Sequence, residues 1–444
     1  MAHPNDAPST KPPSEYTYLP HTPNKKHITN HPRPVAIMTL LGSFCGMFCT
    51  VGFVNSFGLF LEYYKKDQLS NQPESTIAWI ASIDIFFIFG VSVVSGPLLD
   101  TLGPQLLLCI GSLGTIFSIM MTSLCKQLYQ FILAQGILLG ISLSLLTCPM
   151  IALVGQHIKI KRGAAVGFVI GGSSLGGVLW PIIVNELLKK PNIGFGWTMR
   201  IVGFIMLPLL TVTCFCCRPA APPPSPSQQS QAQPEPESEK PTPSPSPKVL
   251  DTPLLKNPTL HLTCLSFFII YFGMFSPFFY VSSYGVAKGF SSSLSFYTIS
   301  MLNGASLFGR IIGGILADKY GRFNVCIVFT ILSGVVCLCW TKATSVAGLV
   351  VFAVAYGFAS GAILSLQQAC ALQLATPKTV GLAVGVVMGA TALSAMAGIP
   401  ISGALVQKYG FLALSVYAGV SLLVGGLLLG VARGKQRLEF WAVV

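Results

Sequence analysis

The stretch Arg162-Gly163-Ala164-Ala165-Val166-Gly167-Phe168-Val169-Ile170-Gly171-Gly172-Ser173-Ser174-Leu175-Gly176-Gly177-Val178-Leu179-Trp180-Pro181 opens on a basic loop and runs into an apolar segment. Gly163, Gly167 and Gly171 stand four apart and share one face of a helix. In a bilayer such a face lets a neighbouring backbone come close. The pattern returns 218 residues on, at Gly381, Gly385 and Gly389, and Pro400 closes that copy much as Pro181 closes the first. A second motif repeats at the same offset: Gly96-Pro97-Leu98-Leu99-Asp100-Thr101-Leu102-Gly103 and Gly314-Ile315-Leu316-Ala317-Asp318-Lys319-Tyr320-Gly321. Two unrelated motifs at one offset predict a duplicated half of about six segments.

Composition sets the medium. Of 444 residues, 52% are hydrophobic and 9% charged, where a soluble domain carries about 25% charged residues. A bilayer absorbs that deficit and a core does not. The net charge of +13 would suit a nucleic-acid binder, but the basic residues sit in short loops between apolar runs, as in membrane proteins. The thirteen cysteines lie mostly inside apolar runs without metal-type spacing, so they read as small buried apolar residues, and neither a metal nor a cofactor is expected. Cys214, Cys216 and Cys217 cluster at a membrane exit, where S-acylation is an option.

Residues 1–34 are polar and proline-rich, and predict a disordered tail without a signal peptide. Apolar runs long enough to span about 30 Å of hydrocarbon follow. They fall near 36–60, 76–98, 106–125, 131–154, 163–185 and 198–217, and near 258–284, 294–316, 324–341, 346–369, 380–405 and 411–432. The expected organisation is an all-α membrane protein with one six-helix bundle at 35–217 and another at 257–432. A disordered Pro/Ser/Gln-rich linker at 218–256 joins them, and a short tail at 433–444 closes the chain. Twelve spans put both ends on one side. That side carries seventeen Lys and Arg against eight on the other, which predicts cytoplasmic termini and linker.

Twelve spans in two related halves, a cytoplasmic linker and the Gly-x-x-x-Asp-x-x-Gly motif after the second and eighth spans resemble the major facilitator superfamily. More narrowly the chain is similar to its fungal monocarboxylate-porter-like branch. That likeness rests on Gly52-Phe53-Val54-Asn55-Ser56-Phe57-Gly58 with Tyr63-Tyr64, Ala78-Trp79-Ile80-Ala81-Ser82-Ile83, Lys161 through Pro181, Asn303 with Gly309-Arg310, and Tyr356-Gly357-Phe358-Ala359-Ser360-Gly361. The resemblance implies an alternating-access fold. It implies a conformational latch at Gly96, Asp100, Gly103, Gly314, Asp318, Gly321 and Arg322, and a substrate anion at Arg310. Two departures stand out: Ser306 occupies the position four before Arg310 where an aspartate is usual, and Gly103-Pro104-Gln105 lacks the basic residue that Arg322 keeps in the second copy.

A carboxylate at a helix end, such as Asp100 or Asp318, accepts hydrogen bonds from a neighbouring helix N-terminus or pairs with a basic side chain. Two charges fall inside spans. Asp84 lies mid-span, and charge at membrane depth faces a cavity or a partner, or is neutralised. Proton coupling and a structural hydrogen bond are both open for it. Arg310 offers fixed donors suited to a carboxylate. Asn55, Asn303, Tyr280, Tyr284, Tyr356 and Gln367 are further substrate-binding candidates, while Gly163, Gly167, Gly171, Pro181, Gly385, Gly389 and Pro400 serve helix packing.

The expected function is secondary transport of a small organic anion, monocarboxylate-like and coupled to protons, across the plasma membrane or a vacuolar one. Efflux of a fungal secondary metabolite is the alternative, and a nutrient sensor a third reading. The chain has no Gly-x-x-x-x-Gly-Lys-Ser/Thr phosphate loop for ATP-driven pumping. No cluster of His, Asp or Glu suggests an enzyme, and the partners expected are an organic acid, protons and lipid.

Overall fold

The computed structural model describes residues 34–219 and 253–436, and among them every regular element is a helix. The spanning helices are α1 (Pro34–Lys66), α2 (Ser75–Leu102), α3 (Pro104–Thr122), α4 (Leu128–His157), α5 (Arg162–Leu188), α6 (Gly194–Cys216), α7 (Pro258–Ala287) and α8 (Ser293–Tyr320). Then come α9 (Arg322–Leu338), α10 (Val346–Leu374) and the segment Val380–Gly434. At 1.5 Å per residue that 55-residue segment would run about 80 Å, far more than one bilayer. Gly410, with φ 80°, breaks it into α11 (380–409) and α12 (411–434). The result is twelve spanning helices among the described residues, in two six-helix bundles.

Two stops in the backbone recur between the halves. Gly103 and Gly321 end α2 and α8 with φ of 80° and 90°, a region that L side chains avoid, and α3 and α9 start at once after them. Within each half, glycines bring backbones together. Gly172 and Gly176 of α5 lie against the Phe44 and Phe48 carbonyls of α1, and the Trp180 indole donates to Phe48 O at 2.9 Å.

Between the halves two seams repeat the pattern, α5 on α8 and α2 on α11. A Cβ on Gly167 would strike the Arg310 carbonyl, and one on Gly385 would strike that of Ser92. Gly171 and Gly389 lie against the side chains of Leu307 and Val93. Pro181 and Pro400 are carried inside α5 and α11 rather than ending them. Neighbouring helices and side chains re-satisfy the freed backbone groups in such membrane helices.

Three expectations shift. Pro253–Lys256, assigned to the linker, forms a short 3-10 turn. Its Leu254 is buried and His261 Nε2 lies 2.8 Å from Leu255 O, so apolar cover of the start of α7 orders it. Arg433 belongs to α12 rather than to the tail; it is buried and donates to Asn324 Oδ1 at 2.9 Å. Pro34 starts α1 and does not end the tail. The remaining tail and linker assignments lie outside the described residues.

Gly167→Val is expected to destabilise the protein by about 1–3 kcal/mol through overpacking of the α5–α8 seam, read as a lower melting temperature in detergent. Gly430→Ala, with nothing within 4 Å of the added methyl, should melt with the parent. Equal melting of all three would contradict the packing described.

Candidate functional site

At one membrane face each half caps a helix of the other. Asp318 at the end of α8 accepts from the Gly163 and Ala164 N–H groups that open α5, both at 2.8 Å. Asp100 at the end of α2 accepts from Gly381 and Leu382 at the start of α11, at 3.0 and 2.9 Å. The first N–H groups of a helix have no intrahelical partner and carry the positive end of its dipole. A carboxylate satisfies both at once. Bare glycines let it in: a Cβ on Gly163 would meet Gly314 O, one on Gly314 would meet Gly163 O, and Gly96 and Gly381 stand in the same mutual relation.

Of the two sequence options for these acids, the structure takes the helix terminus. Among the described residues the ion pair found is Lys189–Glu186, so Arg322 does not pair with Asp318. The missing basic residue after Gly103 leaves the Asp100 cap intact. On the same face Gly155 of α4 meets Leu372 of α10, so three helix pairs close it.

Above the Asp318 cap, the α5–α8 seam is polar. Arg310 is 1% exposed and reaches from α8 into α5. One guanidinium nitrogen donates to Ile170 O at 2.6 Å and to the Ser173 hydroxyl, while Nε has no acceptor. Among the described residues no carboxylate pairs with it. Ser306, where an aspartate was the family expectation, instead accepts from Ser174 at 3.3 Å. Asn55 sits at an interruption of α1, between Val51–Val54 and Phe57–Lys66. Its amide donates to Ser173 O at 3.3 Å and lies 3.5 Å from Asn303 Oδ1. Asn303 in turn faces Gly177.

The matching positions 218 residues away on the α2–α11 seam are Ile85 for Asn303, Ile88 for Ser306, Ser92 for Arg310, Thr391 for Ser173 and Ala392 for Ser174. Four of the five polar groups thus become apolar or lose their charge on the second seam. Ser173 and Ser174 were not picked out from the sequence, and Ser306 only as a departure from the family pattern. Small hydroxyl residues do not stand out in a glycine-rich helix, but setting the two copies side by side would have marked them.

The other candidates divide. Gln367 accepts from the Tyr271 hydroxyl at 2.5 Å and approaches Val387 O at 3.4 Å, linking α7, α10 and α11. Tyr356 donates to Met274 O at 2.7 Å, Tyr280 to Ile399 O at 3.0 Å and Tyr284 to Ala343 O at 3.1 Å. These three hydroxyls tie helices through backbone carbonyls, and Tyr284 does so at the α9–α10 connection, away from Arg310.

Asp84 is 4% exposed, with Oδ1 unpartnered. It packs on Gly140 of α4, just past a π-helical stretch, Ile132–Leu138. Such widened turns favour functional sites, and this one holds Gln135, which accepts from the Tyr64 hydroxyl at 2.7 Å. Asp84 faces α4 and Arg310 faces α5, so the structure does not bring the two intramembrane charges together.

Two cavities lie off this cluster. One of about 870 Å³ is lined by α3 and α6, including Cys109, Phe117, Leu210 and Cys214. The other, about 780 Å³, lies beside Asp318. No group of three or more His, Cys, Asp or Glu fit to hold a metal occurs among the described residues.

The profile described as Major Facilitator Superfamily matches residues 39–341 and again 298–439. An MFS-type transporter of Aspergillus fumigatus is 44% identical over 398 residues, covering 90% of this chain and 92% of that protein. The agnestins efflux protein of Paecilomyces divaricatus is 42% identical over 402 residues, covering 90% and 88%. Among solved structures, the human organic anion transporter TETRAN superposes with a TM-score of 0.64 at 16% identity, over 89% of this chain and 98% of that one.

Asp100→Ala and Asp318→Ala should each lower stability by about 1–2 kcal/mol, as the loss of a helix cap does. The two losses should add, because the caps share no partner. Thermal melting of the single and double variants checks this; an effect confined to Asp318 would mean that the Asp100 cap contributes nothing.

Proposed function

The chain belongs to the Major Facilitator Superfamily, and from that membership we propose that it exports an acidic fungal secondary metabolite by alternating access. The chain is an integral multi-pass membrane transporter rather than an enzyme. Export is supported by the agnestins efflux protein, which the chain matches over most of both lengths. The acidic character of the cargo is carried by Arg310, a cation buried between the halves and, among the described residues, without a carboxylate. A buried charge without a counter-charge is costly, and a substrate carboxylate or enolate would supply the missing acceptor for Nε.

On this reading Arg310 is the anion contact, with Asn55, Asn303, Ser173, Ser174, Ser306 and Gln367 around it. Tyr280, Tyr284 and Tyr356 belong to the scaffold that holds them. The basic face is cytosolic, by the charge bias of its loops. Asp100 and Asp318 hold it shut, and loading from the cytosol requires both caps to part. Asp84, buried without a cation, is the proton carrier. An exporter of this kind acts in the plasma membrane, and sequestration across a vacuolar membrane would use the same chemistry. Uptake of a short monocarboxylate, the narrower branch reading, is the second possibility; Arg310 favours it equally, but the relatives' names do not.

Proteoliposomes loaded with labelled fungal polyketide acids and their methyl esters test this. The acids should exchange and the esters should not. Arg310→Ala should cost about ten- to a hundredfold in apparent affinity, as losing hydrogen bonds to a charged group does, with Arg310→Lys between. Asp84→Asn should abolish stimulation by a proton gradient while leaving gradient-free exchange. Esters moving as well as acids, or an unaffected Arg310→Ala, would remove the anion assignment; preference for lactate-sized acids would favour the second reading.

A further inference from the structure

The cavity of about 780 Å³ beside Asp318 is lined by three cations, Lys161, Lys319 and Arg322, together with Ile160, Ile315 and Gln373. Asp318 is the acid in its wall, and both its oxygens are engaged by the start of α5. Lys161 holds the strained left-handed conformation, φ 59°, alone among the described non-glycine residues. The Gln373 amide presents a buried oxygen without a partner; since amide oxygen and nitrogen are assigned and not observed, the group serves as donor or acceptor.

The cations belong to different halves. Lys161 precedes α5, whereas Lys319 ends α8 and Arg322 starts α9. The matching positions 218 residues away are Thr379, Thr101 and Pro104, and Val380 matches Arg162. The Asp100 cap therefore has no such cluster, although Lys378 lies next to it in sequence. A charge device is built at one of two otherwise similar seams. Apart from Asp318 and Gln373 the non-cationic wall is apolar, and Ile160 and Ile315 are 56% and 53% exposed at the edge of the bilayer. Cations backed by exposed aliphatic side chains match an amphiphile with an anionic head.

We propose that this cavity binds the phosphate headgroup of an anionic phospholipid, one acyl chain lying along Ile160 and Ile315, and that the bound lipid ties the two halves together at the α5–α8 seam. The headgroup bridges Lys161 to Lys319 and Arg322. Because Lys161 joins Lys319 and Arg322 only when the face is shut, the lipid favours the shut state by its differential affinity. The lipid's source in the inner leaflet rests on the cytosolic placement proposed above; binding to purified protein does not depend on it.

The full chain in detergent is titrated with dioctanoyl phosphatidylserine, dioctanoyl phosphatidylcholine and inorganic phosphate, with affinity read by thermophoresis and stability by melting. Three proteins are compared: the parent, Lys161→Asn/Lys319→Gln, and a control, Lys378→Gln/Lys435→Gln, on the same face. Asparagine keeps the left-handed conformation accessible at position 161. Phosphatidylserine should bind the parent and raise its melting temperature. The Lys161/Lys319 variant should bind about tenfold more weakly or worse, given the contribution of each surface cation, while melting like the parent without lipid. The control should bind within about twofold of the parent. Equal weakening in the control would replace the site by diffuse charge. Phosphatidylcholine binding as tightly would remove the anionic requirement, and inorganic phosphate binding as tightly would remove the lipid; any of these overturns the proposal.

Discussion

A carboxylate from one half accepting two of the free N–H groups in the first turn of a helix in the other is the interaction on which the rest of the structure depends. It occurs twice, at Asp318 and at Asp100. Its geometry explains the sequence around it. The helix start must come within hydrogen-bond reach of the acid, so Gly163 and Gly314 touch backbone to backbone, as do Gly381 and Gly96. The acid must stand at a helix end, and the positive-φ stops at Gly103 and Gly321 follow three residues later. Neutral donors and an anionic acceptor make a contact that needs no second side chain, so the first copy manages without the basic residue that Arg322 supplies to the other.

Duplication supplies two similar seams, and they differ in charge. Arg310 and Ser92 occupy matching places; each has its carbonyl against the corresponding glycine, Gly167 or Gly385. Only the α5–α8 seam carries a cation, and its acceptors, Ile170 O and Ser173, belong to the opposite half. In the proposed cycle, parting of α5 from α8 would strip Arg310 of both. A buried guanidinium so exposed would need an anion or water in their place, which ties the presence of an acidic substrate to the movement of the helices.

The fold was legible because it is written twice. The 218-residue offset, the glycine spacing and the span lengths are properties of local sequence and of the bilayer's thickness, and the structure reproduces the helices to within a few residues. Arg310 and Asp84 were legible as charges at membrane depth. Their partners were not. Whether Asp84 meets Arg310 depends on which faces of α2 and α8 turn toward each other, and a helix that is apolar all round does not reveal that. The tyrosines were ambiguous for the same reason: a hydroxyl on a central helix reads the same whether it meets a cargo or the carbonyl of Met274. The π-helical turn beside Asp84 and the serines around Arg310 needed the structure, since both arise from how α4 and α5 fit their neighbours.

Distances across the basic face, measured by electron spin resonance between labels at Leu102 and Lys378 in a cysteine-depleted protein, test the central claim most directly. If the two caps hold the face shut, the parent gives one short distance, and Asp100→Asn/Asp318→Asn populates a second, longer one, each 1.4 kcal/mol lost shifting the ratio about tenfold. An unchanged distribution in the double variant would show that the glycine seams close the face by themselves and that the caps are incidental to it.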